Sequence, residues 1–255
     1  MNIICEYIKY IAKAKGRHHI HSPFVYDLVD VCFNLKVAKN DKITLDNYLS
    51  ILYSDKKTYL FDTYGAGSKS KKTYTTIKAL AKKAGTKGKY WELLNRLSKH
   101  YTSTNILELG TNFGLGTLAF KTGNTSSFIQ SIEGSKTLNE INRNNFKKLN
   151  YNNIEFIQSS FEDFFKQKNN KIYDLVFIDG DHIGKNLLSN LDKTLQNCHN
   201  ETLIIIDDIR WSGDMLAAWE QIIADKRFHL TIDLFKLGIV FLKTNKEKEH
   251  FILRY

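Results

Sequence analysis

Arginine, cysteine and long apolar runs are all scarce in this chain, and each shortage removes a class of explanation. Only six of the 37 basic residues are arginines: Arg17, Arg96, Arg143, Arg210, Arg227 and Arg254. Base readout and bidentate phosphate contacts favour arginine. A net charge of +10 carried almost wholly by lysine therefore leaves nucleic acid as an unfavoured partner, and richness in Asn, Ile and Tyr points to a general compositional bias. The three cysteines, Cys5, Cys32 and Cys198, are an odd number without metal-type spacing. They read as ordinary thiols in a reducing compartment. No apolar run approaches a membrane span. Ile3, Ile4, Tyr7, Ile8 and Ile11 recur at helical spacing near the start, but Glu6 and Lys9 interrupt any signal-peptide core. A cytoplasmic protein is expected, with an amphipathic membrane-surface helix as the lesser alternative.

What the chain has is a change of pattern just after residue 101. Its 255 residues, 42% of them hydrophobic, suffice for one large α/β domain or one domain with a helical extension. Earlier in the chain, apolar residues recur at spacings of three and four near 2–14, 23–35, 43–54, 71–84 and 88–101, which predicts helices and no strand. Later, strands are expected at 104–109, 128–133, 153–157, 172–179 and 202–207, alternating with helices at 115–121, 136–149, 161–166, 184–197 and 213–226. That alternation implies a parallel sheet covered on both faces. Further strands near 228–235, 238–243 and 250–254 suggest an antiparallel hairpin at one edge. The expected division is a helical N-terminal cap or lid, residues 1–101, and a ligand-binding domain, residues 102–255.

The stretch Asn105-Ile-Leu-Glu-Leu-Gly-Thr-Asn-Phe-Gly-Leu-Gly-Thr117 is the most informative. A buried strand that breaks into Gly110, Gly114 and Gly116 and feeds a helix allows close backbone approach to a ligand, as in a nucleotide-type pocket. Gly114-Leu-Gly116-Thr-Leu-Ala119 also fits the G-x-G-x-x-A dinucleotide fingerprint, although Gly110 already holds the place directly after the strand. The full pattern, acid-x-Gly-x-x-x-Gly-x-Gly from Glu108 to Gly116, resembles the first motif of class I S-adenosylmethionine (SAM) dependent methyltransferases. In that family the acid at the strand end faces the cationic ligand. The resemblance implies a Rossmann-like α/β fold with a mostly parallel sheet of seven strands and an antiparallel edge hairpin. The candidate cofactor-binding residues are Glu108, Gly110, Thr111, Gly114, Gly116, Glu133, Ser160 and Asp179. Glu133, closing the second strand, can accept both ribose hydroxyls. Ser160 either contacts the adenine or caps the helix that starts at Phe161.

Two later strand ends carry acids: Ile178-Asp179-Gly-Asp181-His182 and Ile206-Asp207-Asp208-Ile-Arg210-Trp211. Adjacent strand ends lie about 5 Å apart, so Asp179, Asp207 and Asp208 can converge. Clustered carboxylates repel unless a cation neutralises them, and hard oxygen ligands favour Mg²⁺. These segments look like the metal-binding motifs of the catechol and caffeoyl-CoA O-methyltransferase group, which places Asp179, Asp207 and Asp208 at metal-ligand positions. His182 stands where that group has its catalytic lysine, and Asp208 replaces an asparagine. With His21-Ser-Pro-Phe-Val-Tyr-Asp27 and Tyr64-Gly-Ala-Gly-Ser68 ahead of the sheet, the chain resembles a bacterial branch of this group.

The resemblance implies an O-methyltransferase that uses SAM, with Mg²⁺ assistance, on a small-molecule acceptor, and with His182 as general base and Asp179 beside it as the catalytic residues. Pro23 is the single proline, so the Asn/Asp-Pro-Pro-Tyr/Phe loop of many exocyclic-amine methyltransferases is excluded. The Pro-Cys nucleophile of cytosine-C5 enzymes is excluded on the same ground. Metal-independent or RNA-directed methylation, an NAD(P)-binding oxidoreductase and a non-catalytic SAM-binding module stay open as alternatives. A homodimer is compatible with the sequence, which does not set the oligomeric state. Arg17-His-His-Ile-His21-Ser-Pro23 reads as a metal site, a lip over the acceptor pocket, or a helix start with Ser22 as N-cap and Pro23 at its first position. Asp62-Thr-Tyr-Gly65-Ala-Gly67-Ser68 reads as a lid, an anion-binding loop or a plain turn. Trp211 either walls the acceptor site or packs in the core.

Overall fold

The computed structural model describes residues 1–63, 71–83, 85–242 and 247–255. In chain order the elements are α1 (Ile3–Lys13), α2 (Pro23–Leu28), α3 (Lys39–Ser54), β1 (Thr58–Thr63), β2 (Lys71–Thr76), α4 (Ile77–Lys83) and α5 (Gly88–Tyr101). They continue with β3 (Asn105–Leu109), α6 (Leu115–Gly123), β4 (Phe128–Glu133), α7 (Lys136–Lys148), β5 (Ile154–Gln158), α8 (Phe161–Lys166) and β6 (Tyr173–Ile178). The last are α9 (Gly184–Leu195), β7 (Cys198–Ile206), α10 (Gly213–Ala224), β8 (Leu230–Asp233), β9 (Gly238–Phe241) and β10 (Glu249–Ile252).

The strands β3 to β10 form one sheet in the order β10-β8-β9-β7-β6-β3-β4-β5. β3 pairs in parallel with β4 and β6, and β6 with β7, while β9 runs antiparallel between β7 and β8. This is the mostly parallel, Rossmann-like α/β sheet that the sequence leads one to expect, but with eight strands in place of seven. The extra one is β10, which pairs in parallel with β8 beyond the hairpin and so becomes the edge.

Strand alternation divides the core in two. Ile106, Leu175, Phe177, Leu203 and Ile205 face one side with α2, α3, α5 and α6, whereas Leu107, Leu109, Val176, Ile178, Ile204 and Ile206 face α8, α9 and α10. Both faces are thereby buried, which is why these strands read as near-continuous apolar runs. The helices before the sheet share the first of these cores: Trp91, Leu94 and Leu97 of α5 are fully buried against it.

One expectation for the first part of the chain is corrected. β1 and β2 form an antiparallel hairpin, so residues 71–76, expected to begin a helix, are strand, and only Ile77–Lys83 is helical. The threonines and aromatics of Thr58-Tyr-Leu-Phe-Asp-Thr63 and Lys71-Lys-Thr-Tyr-Thr-Thr76 suit a pleated surface better than a helix. Phe61 is buried, and Thr137 Oγ1 donates to the Leu60 carbonyl at 2.8 Å, pinning the hairpin to α7. The Tyr64-to-Ser68 glycine motif lies outside the described residues. Among the described residues, no helix is long and apolar enough to cross a membrane.

Two side chains from this first part support the glycine turn from below. Tyr48 Oη donates to the Phe113 carbonyl at 2.8 Å, and Trp91 Nε1 donates to the Leu115 carbonyl at 2.9 Å, both in buried surroundings. Removing a buried donor leaves its acceptor unsatisfied at a cost of about 1–3 kcal/mol. Tyr48→Phe should therefore lower the urea-unfolding free energy by about that amount with an unchanged m-value. An unchanged midpoint would show that the Phe113 carbonyl does not depend on Tyr48.

Candidate active site

The strand order reverses between β3 and β6, and a cleft of about 790 Å³ opens at the carboxyl ends of the strands around that point. Ligands of open α/β sheets bind at such a switch point. The turn after β3 contributes Gly110, Asn112 and Phe113; the end of β4, Ile132, Glu133 and Gly134; the turn after β5, Ser159, Ser160 and Phe161; the turn after β6, Asp179 to Ile183. Phe61 and Asp62 of the hairpin and Asn186 and Asn190 of α9 complete its walls.

Close backbone contact at the switch point explains the first glycine. Gly110 has φ +102°, and a Cβ there would fall on the Asp179 carbonyl. Asp179 N–H in turn donates to the Leu109 carbonyl at 2.8 Å. Gly116 serves a different purpose: it leaves room for the Glu108 carboxylate, on which its Cβ would otherwise lie. Of the three motif glycines, then, only Gly110 lines the cleft; Gly114 precedes α6 against Phe146, and Gly116 packs over the acid.

Glu108 was expected to face a cationic ligand, and the structure turns it inward. It is 1% exposed and accepts from Thr117 Oγ1 and from Ser131 Oγ, the latter at 2.5 Å; Thr111 extends this network through the Ser131 hydroxyl. Thr111 therefore also lies beneath the cleft. Burial pushes the Glu108 carboxyl up to about 7, against the lowering effect of its hydroxyl donors.

Glu133 does line the cleft. Its two oxygens accept backbone N–H groups from Asn112 at 2.9 Å and Ser135 at 2.8 Å, which fixes the carboxylate at the cleft wall and leaves further acceptor capacity. Burial raises its carboxyl above the usual range, with these N–H bonds opposing. Asn112, not anticipated from the sequence, holds φ +48° to present that N–H; asparagine tolerates the left-handed region, and this is the signal that marks it. Ser160 lines the cleft and also caps α8: its hydroxyl accepts from Asp163 N–H at 3.1 Å.

The three aspartates do not converge as their spacing suggests. Asp207, 2% exposed, has one carboxylate oxygen on Asp208 N–H at 2.7 Å and the other on Thr86 Oγ1 at 3.1 Å and Lys236 Nζ at 2.9 Å. The donors that do converge among the described residues are those of Asp179, His182 and Asp208, all within 4.8 Å of one another. The expected oxygen cage of Asp179, Asp207 and Asp208 thus does not fit a divalent ion, because Asp207 is turned to a lysine. Burial and then the charge of Asp207 raise the carboxyl of Asp179 well above the ordinary range, and raise that of Asp208 too.

His182 lines the cleft, with Nε2 3.8 Å from Asp208 Oδ2 and its ring 5.7 Å from the Trp211 ring. Arg210 forms two 2.7 Å bonds to the buried Asp233 carboxylate, so the chain after β7 is clamped and Trp211 projects outward, 65% exposed. Trp211 is therefore not a core residue. The described side chains of Arg17 to Pro23 do not line the cleft; Arg17 bonds Tyr26 and pairs with Asp30. Pro23 begins α2, and Ser22 precedes it without a side-chain cap bond.

Residues 107–209 match the family described as a methyltransferase domain. Over this segment the chain is similar to that family. The matched segment runs from β3 to the turn after β7 and contains the four strand ends of the cleft. No curated protein matches the sequence. Among solved structures, an O-methyltransferase from Bacillus cereus in complex with SAH is similar at TM-score 0.57 and 18% identity, over 84% of this chain and 95% of that one. The SAH-bound Podospora anserina methyltransferase PaMTH1 is similar at TM-score 0.54 and 13% identity, over 82% and 98%. The O-methyltransferase TomG from Streptomyces achromogenes, in complex with SAM, is similar at TM-score 0.55 and 12% identity, over 62% and 82%. At these identities the likeness is one of fold.

The Glu108 assignment can be tested through pH. Burial pushes the carboxyl from its ordinary value of 4.5 up to about 7 in the folded protein, so the folded state holds an extra proton between those values. Stability from this group is full below the lower value and is lost as pH rises through the upper one, by roughly 3 kcal/mol in all. Glu108→Gln is neutral throughout. Relative to wild type, its unfolding free energy should rise by roughly 2–3 kcal/mol between about pH 5 and pH 8; a constant difference would contradict the assignment.

Proposed function

We propose that the cleft binds S-adenosylmethionine and that the protein transfers its methyl group to a hydroxyl oxygen of a small-molecule acceptor. The observation that carries this reading is the placement of Glu133, fixed by two backbone N–H groups, and of His182, backed by Asp208, in one cleft at the switch point. The SAH- and SAM-bound relatives of the same fold support the choice of cofactor. Glu133 accepts the two ribose hydroxyls; Ile132, Gly134 and Phe161 beside it offer an apolar bed for the base.

Bound SAM would supply a methyl group on a positively charged sulfur: as the acceptor oxygen's lone pair forms the C–O bond, the C–S bond breaks and its electrons stay on sulfur, leaving SAH. His182 takes the hydroxyl proton on an imidazole nitrogen, and the Asp208 carboxylate, 3.8 Å from Nε2, balances the charge that forms. A positioned base of this kind contributes roughly 10² to 10⁴ in rate. Trp211, whose ring lies 5.7 Å from the imidazole ring, offers an aromatic surface beside the base.

Thermal unfolding with SAH and, separately, with NAD(H) tests the cofactor. Saturation at about a hundredfold over Kd adds about 2.7 kcal/mol, a rise of roughly 5 to 10 °C for a chain of this size. The rise is expected with SAH alone. Glu133→Gln, which removes one charged acceptor, should weaken SAH by about tenfold or more. A rise with NAD(H) and none with SAH would overturn the reading in favour of a dinucleotide site.

A further inference from the structure

Lys236 is the residue that the aspartate motif does not foresee. It lies in the short connector between β8 and β9, folded back by the bonds Lys236 N–H to the Leu234 carbonyl at 2.9 Å and Leu234 N–H to the Leu237 carbonyl at 2.9 Å. Phe235 occupies a left-handed conformation, φ +70°, at the apex. The connector is tied to its surroundings on two sides: Ile209 N–H donates to the Lys236 carbonyl at 3.1 Å, and Tyr90 Oη donates to the Leu234 carbonyl at 3.1 Å. Its backbone is thus held against the carboxyl end of β7.

There the ammonium lies 2.9 Å from Asp207 Oδ2 and 3.5 Å from Asp208 Oδ1, with the Tyr90 ring centroid at 5.8 Å. Asp207 is 2% exposed, and a carboxylate so placed needs a counter-charge.

We infer that Lys236 is the resident cation of this acid cluster, standing where the aspartate spacing calls for a divalent ion, so that the cleft works with an internal ammonium in place of a metal. The role follows from the chain of contacts. Lys236 holds Asp208 from one side while His182 Nε2 lies 3.8 Å from its other oxygen. Lys236 is therefore a positioning residue that acts on His182 through Asp208. Removing its charge leaves Asp179, Asp207 and Asp208 without their nearest cation and creates a site for an added one. This catalytic role rests on the methyl-transfer reading above, whereas the cation inference itself does not need a bound cofactor.

The test is Mn²⁺ binding followed by electron paramagnetic resonance on the full chain, for wild type, Lys236→Met and Lys236→Arg. Wild type and Lys236→Arg should bind Mn²⁺ weakly, and Lys236→Met at least about tenfold more tightly, because a unit charge has been removed within a few ångströms of the acids. Tight binding by wild type would overturn the inference, and so would a folded Lys236→Met that binds no better than wild type. If Lys236→Met fails to fold, the wild-type titration still decides, with Lys236→Gln, which removes the same charge and keeps a hydrogen-bond donor for Asp207, as a second variant expected to bind more tightly than wild type. SAH binding measured on the same wild-type sample reports separately on the proposed function: SAH bound together with tight Mn²⁺ sinks the Lys236 inference alone, and no SAH bound sinks the cofactor reading alone.

Discussion

At the point where the strand order reverses, the Cα of Gly110 stands against the carbonyl of Asp179 with no room for a side chain. This contact brings the ends of β3 and β6 to within one layer of atoms, and the cleft is built outward from it. The turns that leave these strand ends must bend sharply, and three of them do so through residues other than glycine in the left-handed region: Asn112 after β3, Asp181 after β6 and Asp208 after β7. Each such residue costs of order 1 kcal/mol, offset by the two apolar cores that fix the strands beneath. The result is a set of polar side chains and N–H groups aimed into one space. Asn112 secures Glu133, Asp181 accepts from Asn186 Nδ2 at 2.8 Å, and Asp208 faces His182.

The same crowding gathers five acids at the ends of apolar strands, and each is compensated by different means. Glu108 is surrounded by the hydroxyls of Thr117 and Ser131, which hydrogen-bond a carboxylate but also suit a protonated acid. Glu133 uses backbone N–H groups, so it remains a fixed acceptor at the cleft wall. Asp207 takes Thr86 and Lys236. Asp179 and Asp208 are left nearest to His182. The division of labour is one of environment: five carboxylates of two residue types do different work according to the donors that surround them.

The strand-to-helix alternation after residue 104 was legible because parallel strands buried on both faces leave unbroken apolar runs that end at glycines and acids. Glu133 and Asp179 could be placed at the cleft from that pattern, and Ser160 and His182 with the help of the family resemblance. The β1–β2 hairpin was hidden because Lys71-Lys-Thr-Tyr-Thr-Thr76 runs directly into a helix, and spacing arguments merged the two. The inward turn of Glu108 was hidden for another reason: alternation assigns it to the face of Phe177 and Gly116, and that is a fact of three-dimensional packing between segments far apart in the chain. Lys236 was illegible because it reaches Asp207 from 29 positions away, in a connector that reads only as a turn. The eighth strand was readable as a segment, but its parallel pairing with β8 follows from where the chain returns.

Hydrogen–deuterium exchange with and without SAH tests most directly whether the cofactor lies across these strand ends. The account predicts added protection in the turns at 110–113, 133–135, 159–162 and 179–183, the four segments that line the cleft. Protection confined to other segments, or none in these four at saturating SAH, would contradict it.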